Sequence, residues 1–127
     1  MDRDALELIR YFIKNQYFYT LDNNLSDAGR LFRESTVITF NGETLVGKDA
    51  LPDYLTSLAD EFNWSYSAHT VHVDAHPLAD GTILALVKGH CMVSGQNQRF
   101  AQTFILVKDG DSYYVAHGIY QDISNDE

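Results

Sequence analysis

Two neighbouring stretches of this chain are apolar on both sides, and this limits what it can fold into. Along residues 82–93, Ile83, Ala85, Val87 and Cys91 share one side of a period-two repeat, while Leu84, Leu86 and Met92 share the other. Along residues 98–107, Phe100, Phe104 and Leu106 oppose Ala101, Ile105 and Val107. A sheet with one wet face alternates apolar and polar residues, because successive side chains point to opposite faces. These strands do not alternate, so the sheet they form has to be covered twice. Either the sheet curls over itself, or its second face pairs with another polypeptide, which is what a large apolar patch on a protein surface marks. Pairing is the expectation.

The rest of the chain supplies a cover for one face. Leu8, Ile9, Phe12, Ile13, Tyr17, Phe18 and Tyr19 recur at spacings of three and four, which predicts an amphipathic helix from Asp4 to about Leu21. Asp22-Asn23-Asn24 ends it with residues that favour turns. A short second helix is expected over about Leu25–Phe32. Thr36–Phe40 and Glu43–Val46 read as hairpin strands around Asn41-Gly42, a pair that suits the tight turn a two-residue hairpin needs. Leu51, Tyr54, Leu55 and Leu58 form one stripe of a third helix. Strands follow over residues 64–75, 82–93, 98–107 and 113–120, with Pro77 limiting the first and Gly81, Gly95 and Gly110 in the turns. Helices first and a strand meander second argue an α+β fold, one domain over residues 1–127 with an ordered core of about 4–122.

Charge and cysteine content narrow the partners. With 9 Lys+Arg against 18 Asp+Glu, the net charge of −9 disfavours direct binding to nucleic acid or to an anionic membrane. No apolar run approaches the ~20 residues of a membrane span. The single Cys91 excludes an internal disulfide, and Met1-Asp2-Arg3-Asp4 does not read as a secretory leader. A cytosolic or nuclear protein is expected.

Catalysis needs a base and an oxyanion donor converging on one spot. The candidates are Tyr19, His90 and His117, and no carboxylate can be placed beside them from the sequence. Tyr19 reads as a core aromatic with a bonded hydroxyl, and Cys91 as a small core hydrophobe. Trp64 can be core or interface. His72-x-Asp74-x-His76 puts three zinc-competent side chains on one strand face. Three ligands on a flat strand need a fourth from elsewhere to converge, so a polar strip at an interface is the preferred reading. Its histidines, charging beside Asp74, would make pairing pH-sensitive. No enzyme activity, metal or cofactor is expected, and residues 122–127 read as a solvated acidic end.

Five strings in order resemble the nuclear transport factor 2-like family: Phe18-Tyr19; Thr39-Phe40-Asn41-Gly42 with Val46-Gly47-Lys48; Val73-Asp74-Ala75-His76-Pro77; Gln98 to Leu106; and Ser112-Tyr113-Tyr114-Val115. The resemblance covers roughly Ile9 to Asp122. It implies a cone-shaped fold, three N-terminal helices packed on a curved antiparallel sheet, and a protein that shuttles between nucleus and cytoplasm. Members include a homodimeric import carrier that binds Ran-GDP through an aromatic cavity rimmed by acids. Others are export-type proteins that heterodimerise with a large mRNA export receptor and support contact with FG-repeat nucleoporins, and still others are cavity enzymes and small-ligand binders. Asn41, and the acid-free turn Ser94-Gly95-Gln96-Asn97, stand where the carrier has carboxylates, which favours the export type. His117-Gly118-Ile119-Tyr120-Gln121 departs from the family's closing "N-D-(I/M)-F-R". The expected partner-binding set is Asp74, His72, His76, Phe40, Asn41, Arg99, Phe100, Gln102, Phe104, Leu84 and Leu86. Leu84, Leu86 and Phe104 of this set, with Leu106, would drive association, and Asp74 would fix register by a salt bridge to an arginine on the receptor.

Overall fold

A computed structural model describes residues 3–124 of the chain, apart from the side chains of residues 67–70. The end from Asn125, including most of the expected acidic tail, lies outside the described residues, as do Met1 and Asp2. Helix α1 (Arg3–Tyr11) runs into a π-helical segment (Phe12–Phe18) and then α2 (Tyr19–Asn23), followed by a 3-10 turn (Leu25–Leu31). Strands β1 (Val37–Phe40) and β2 (Glu43–Val46) precede α3 (Ala50–Phe62). Then come β3 (Ser65–Pro77), β4 (Ile83–Val93), β5 (Gln96–Asp109) and β6 (Ser112–Asp122). The six strands make one sheet in the order β2-β1-β6-β5-β4-β3, antiparallel except where β1 runs parallel to β6.

The first helix is continuous but changes its winding. In a π-helix the hydrogen bond spans five residues, and Phe12 to Tyr17 and Ile13 to Phe18 are each five apart. All four of these side chains are buried, whereas Tyr19 is 57% exposed and Leu8 64% exposed. Tyr19 is therefore not the core aromatic that a uniform α-helix predicts. Tyr17, at 0% exposure, takes that place.

Asn41 and Gly42 both adopt positive φ (49° and 89°), the conformation a tight hairpin turn needs. The Asn41 side chain closes this corner, its Oδ1 accepting the Asp122 N–H at 2.7 Å. Thr36, just before β1, is buried and donates to the Val115 carbonyl at 2.6 Å, fixing the start of the hairpin against β6. Irregularities in register between Ser67 and His72, and between Ile105 and Leu106, mark β-bulges, which bend a sheet.

Helices and the 3-10 turn lie on one face only, and burial follows strand parity. On β4, Ile83, Ala85, Val87 and Cys91 are buried, and on β5 Phe100, Gln102, Phe104 and Leu106. A dense set of rings fills the space beneath the helices. Tyr120 stacks on Phe40 at 4.1 Å and Phe100 lies 5.0 Å from Tyr120, while Trp64 packs edge-on against Tyr66 at 4.4 Å. Trp64 thus belongs to the ring cluster under the helices.

Gly89 shows how tight the packing is. A Cβ built there would meet Val71 Cγ1 at 2.9 Å and Phe100 Cζ at 3.0 Å. Gly89→Ala should lower stability by about 1–3 kcal/mol through overpacking, seen as a reduced urea midpoint with an unchanged slope.

Candidate partner-binding site

The uncovered face of the sheet is built by the other parity. Two adjacent rows cross it from edge to edge. Asp74, Leu86, Thr103, Ile119, Thr39 and Thr44 form one; His76, Leu84, Ile105, His117, Val37 and Val46 form the next. Leu86, Ile119 and Val46 are 43%, 51% and 61% exposed, so the centre of the face is apolar and open. Its rim is polar: His72, Asp74 and His76 stand on the outer side of β3, Lys88 lies opposite His72 on β4, and Arg99 lies opposite His90 near the start of β5. Aliphatic centre and polar rim is the anatomy of a protein interface.

The expected partner-binding residues divide between the two faces. Leu84, Leu86, His72, Asp74, His76 and Arg99 lie on the open face. Phe40, Phe100, Gln102, Phe104 and Leu106 do not. They are 0–3% exposed beneath the helices, so a partner on the open face cannot touch them. Burial of their rings against Tyr17, Phe18 and Tyr120 explains this placement. Asn41 sits at the rim with its side-chain oxygen already committed to Asp122. Ile105 lies opposite Leu84 through the regular β4–β5 register, whereas placing Ile119 in the row of Leu86 needed the β5–β6 register, which a bulge resets and a period-two count cannot follow.

Asp74 is open to a partner. Its side chain is 92% exposed, and Arg10 reaches it only at 4.0 Å. The histidines beside it face the same way, and the strand next to them offers Leu84, Leu86 and Lys88, none of which adds a metal ligand of the kind zinc takes.

The interior carries phenols and an amide. Gln102 Nε2 donates to Tyr17 Oη at 3.3 Å, and Tyr120 Oη lies 3.3 Å from Cys91 Sγ. The buried polar residues among those described are Thr20, Thr36 and Gln102, with no acid or histidine. The catalytic candidates point elsewhere: Tyr19 to solvent, His90 and His117 to the outer face. They do not converge on one spot.

Burial holds the Tyr17, Tyr66 and Tyr120 phenols above their ordinary range, and it also pushes the Cys91 thiol up. A phenol whose folded pKa is raised contributes stability that is present below its unfolded value of about 10 and lost as pH rises past it. Of the eight tyrosines, those three should ionise only in a late step that coincides with unfolding, followed by phenolate absorbance and circular dichroism together. Eight phenols titrating as one class would contradict the burial.

Residues 11–121 match the family model described as the nuclear transport factor 2 (NTF2) domain. The chain belongs to the nuclear transport factor 2 family. Among its relatives, nuclear transport factor 2 of Debaryomyces hansenii is 32% identical over 111 residues, covering 84% of this chain and 86% of that protein. Nuclear transport factor 2 (Ntf2) from Cryptosporidium parvum has a similar solved structure, with a TM-score of 0.76 at 19% identity over 91% of this chain and 92% of that one. The C. albicans Mtr2–Mex67 M domain complex also contains a similar chain, with a TM-score of 0.73 at 10% identity, covering 95% of this chain and 97% of that one. The nuclear transport factor 2-like fold is thus the frame in which the open sheet face stands.

Proposed function

We propose that this protein is a non-enzymatic adaptor of nucleocytoplasmic transport that works by pairing the open face of its sheet with a second, larger chain. The observation that carries the reading is the apolar centre of that face, where Leu86 and Ile119 are about half exposed beside Leu84 and Ile105. The partner that fits best is the large subunit of the mRNA export receptor, the pair then offering a surface to FG-repeat nucleoporins. The likeness to the chain in the Mtr2–Mex67 complex supports it, as do the missing acids at Asn41 and at Ser94 to Asn97.

One observation favours a second reading, a homodimeric carrier for Ran-GDP: the relatives near 30% identity are named nuclear transport factor 2. A mass measurement in solution separates the two. Heterodimer formation predicts a chain that is poorly soluble alone and forms a one-to-one complex when co-expressed with the receptor's matching domain. A stable homodimer that retains Ran-GDP would reject it. In the heterodimer, Asp74→Ala should weaken association by about 2 kcal/mol, because the opposing cation loses its carboxylate on burial. An unchanged dissociation constant in calorimetry would remove that role from Asp74.

A further inference from the structure

β3 is an edge strand of 13 residues whose free side looks onto a helix. Between them runs a cleft of about 710 Å³. One wall is the strand at residues 71–74; the other carries Glu7, Arg10, Tyr11 and Lys14 of the first helix. Arg10 Nε donates to the Val73 carbonyl at 3.2 Å, so this carbonyl points into the cleft and away from β4. By the period of two along a strand, the backbone groups of Val71 and Ala75 share that edge, while those of His72, Asp74 and His76 face β4. Nearer the start of β3 the Tyr66 N–H donates to Asp22 Oδ1 at 3.1 Å, so the stretch offered to a partner is residues 71–75.

A long open edge is a template for another strand. An edge strand facing a helix, with room between them, is suited to taking up an extended peptide by adding it to the sheet. Charge says what kind. Arg10 is shared by Glu7 at 3.0 Å and Asp74 at 4.0 Å, which leaves Lys14 as the cation of the cleft with no ion-pair partner among the described residues. Tyr11, 57% exposed, offers ring surface to an alternating side chain.

We propose that this cleft accepts an extended, acidic segment of a partner protein as a seventh strand on the free edge of β3, with a carboxylate on Lys14. Arg10 guards the edge meanwhile and swings aside as main-chain bonds replace its single bond to Val73. The cleft shares His72 and Asp74 with the rim of the open face, but main-chain pairing along β3 uses none of Leu84, Leu86, Ile105 or Ile119, so the failure of either reading leaves the other standing.

The probe is a capped nonapeptide alternating valine and threonine around one central glutamate, titrated into the isotope-labelled full chain while amide hydrogen exchange is followed. The amides of Val71, Val73 and Ala75 should slow at least about tenfold, with those of His72, Asp74 and His76 unchanged. The same peptide N-methylated on its edge-facing amides should fail to bind, and Lys14→Glu should weaken binding about fivefold. Exchange that stays the same in excess peptide would overturn the proposal. So would an N-methylated peptide binding as well as its parent, or a Lys14→Glu chain binding the glutamate peptide unchanged.

Discussion

Phe104→Ala should cost the isolated chain about 3–5 kcal/mol, the range for truncating a buried phenylalanine. The ring is 1% exposed and meets Tyr17 edge-on at 4.8 Å and Phe18 at 6.2 Å. Its loss therefore removes apolar burial and two aromatic contacts, and it leaves a hole between the first helix and β5 that other rings cannot collapse into. A domain of this size has roughly 5–15 kcal/mol of stability in all, so the variant should show a much lower urea midpoint. The measurement also decides which face Phe104 serves. A residue of the partner-binding face would leave the lone chain's unfolding unchanged and weaken only its association.

Phe104 also shows where the sequence stops being legible. The alternation along β4 and β5 separates two apolar sets, and the structure keeps these sets apart as the spacing requires. Which set meets the helices is not written in the period, because both sets are apolar. On β5 the ring-bearing set faces in, with Phe100, Phe104 and Leu106 in one core with Tyr17, Phe18 and Phe32. On β4, however, the smaller Ala85, Val87 and Cys91 face in and Leu84, Leu86 and Met92 face out, so size alone does not assign the faces. The hairpin at Asn41-Gly42 and the strand meander were legible, since turn chemistry and β-branched runs are local signals. The π-helical winding was not. A five-residue spacing embedded among threes and fours looks like an ordinary stripe, and so Tyr19 was expected where Tyr17 stands. A bulge hid the place of Ile119 in the row of Leu86 in the same way, since one unpaired residue in β6 changes which side chains lie opposite β5.

Leu86→Glu combined with Ile119→Glu should abolish pairing through the open face while leaving the chain folded. The two residues flank Thr103 in one row across β4, β5 and β6, so their side chains bracket the centre of the face. Burying each in an interface is worth about 1.5–3 kcal/mol. A carboxylate in its place adds the cost of dehydrating a charge without a partner. Together these should weaken association at least about a thousandfold, near 4 kcal/mol. Neither change should disturb the fold, because both side chains are already about half exposed and neither reaches the ring cluster beneath the helices. The test is sedimentation of the variant beside the parent, alone and with the receptor domain, with thermal unfolding run in parallel. Association that survives both carboxylates would mean that the apolar face pairs with nothing, and the transport reading built on it would fall. If association is lost and the melting curve is unchanged, the function lies on the face the helices leave bare.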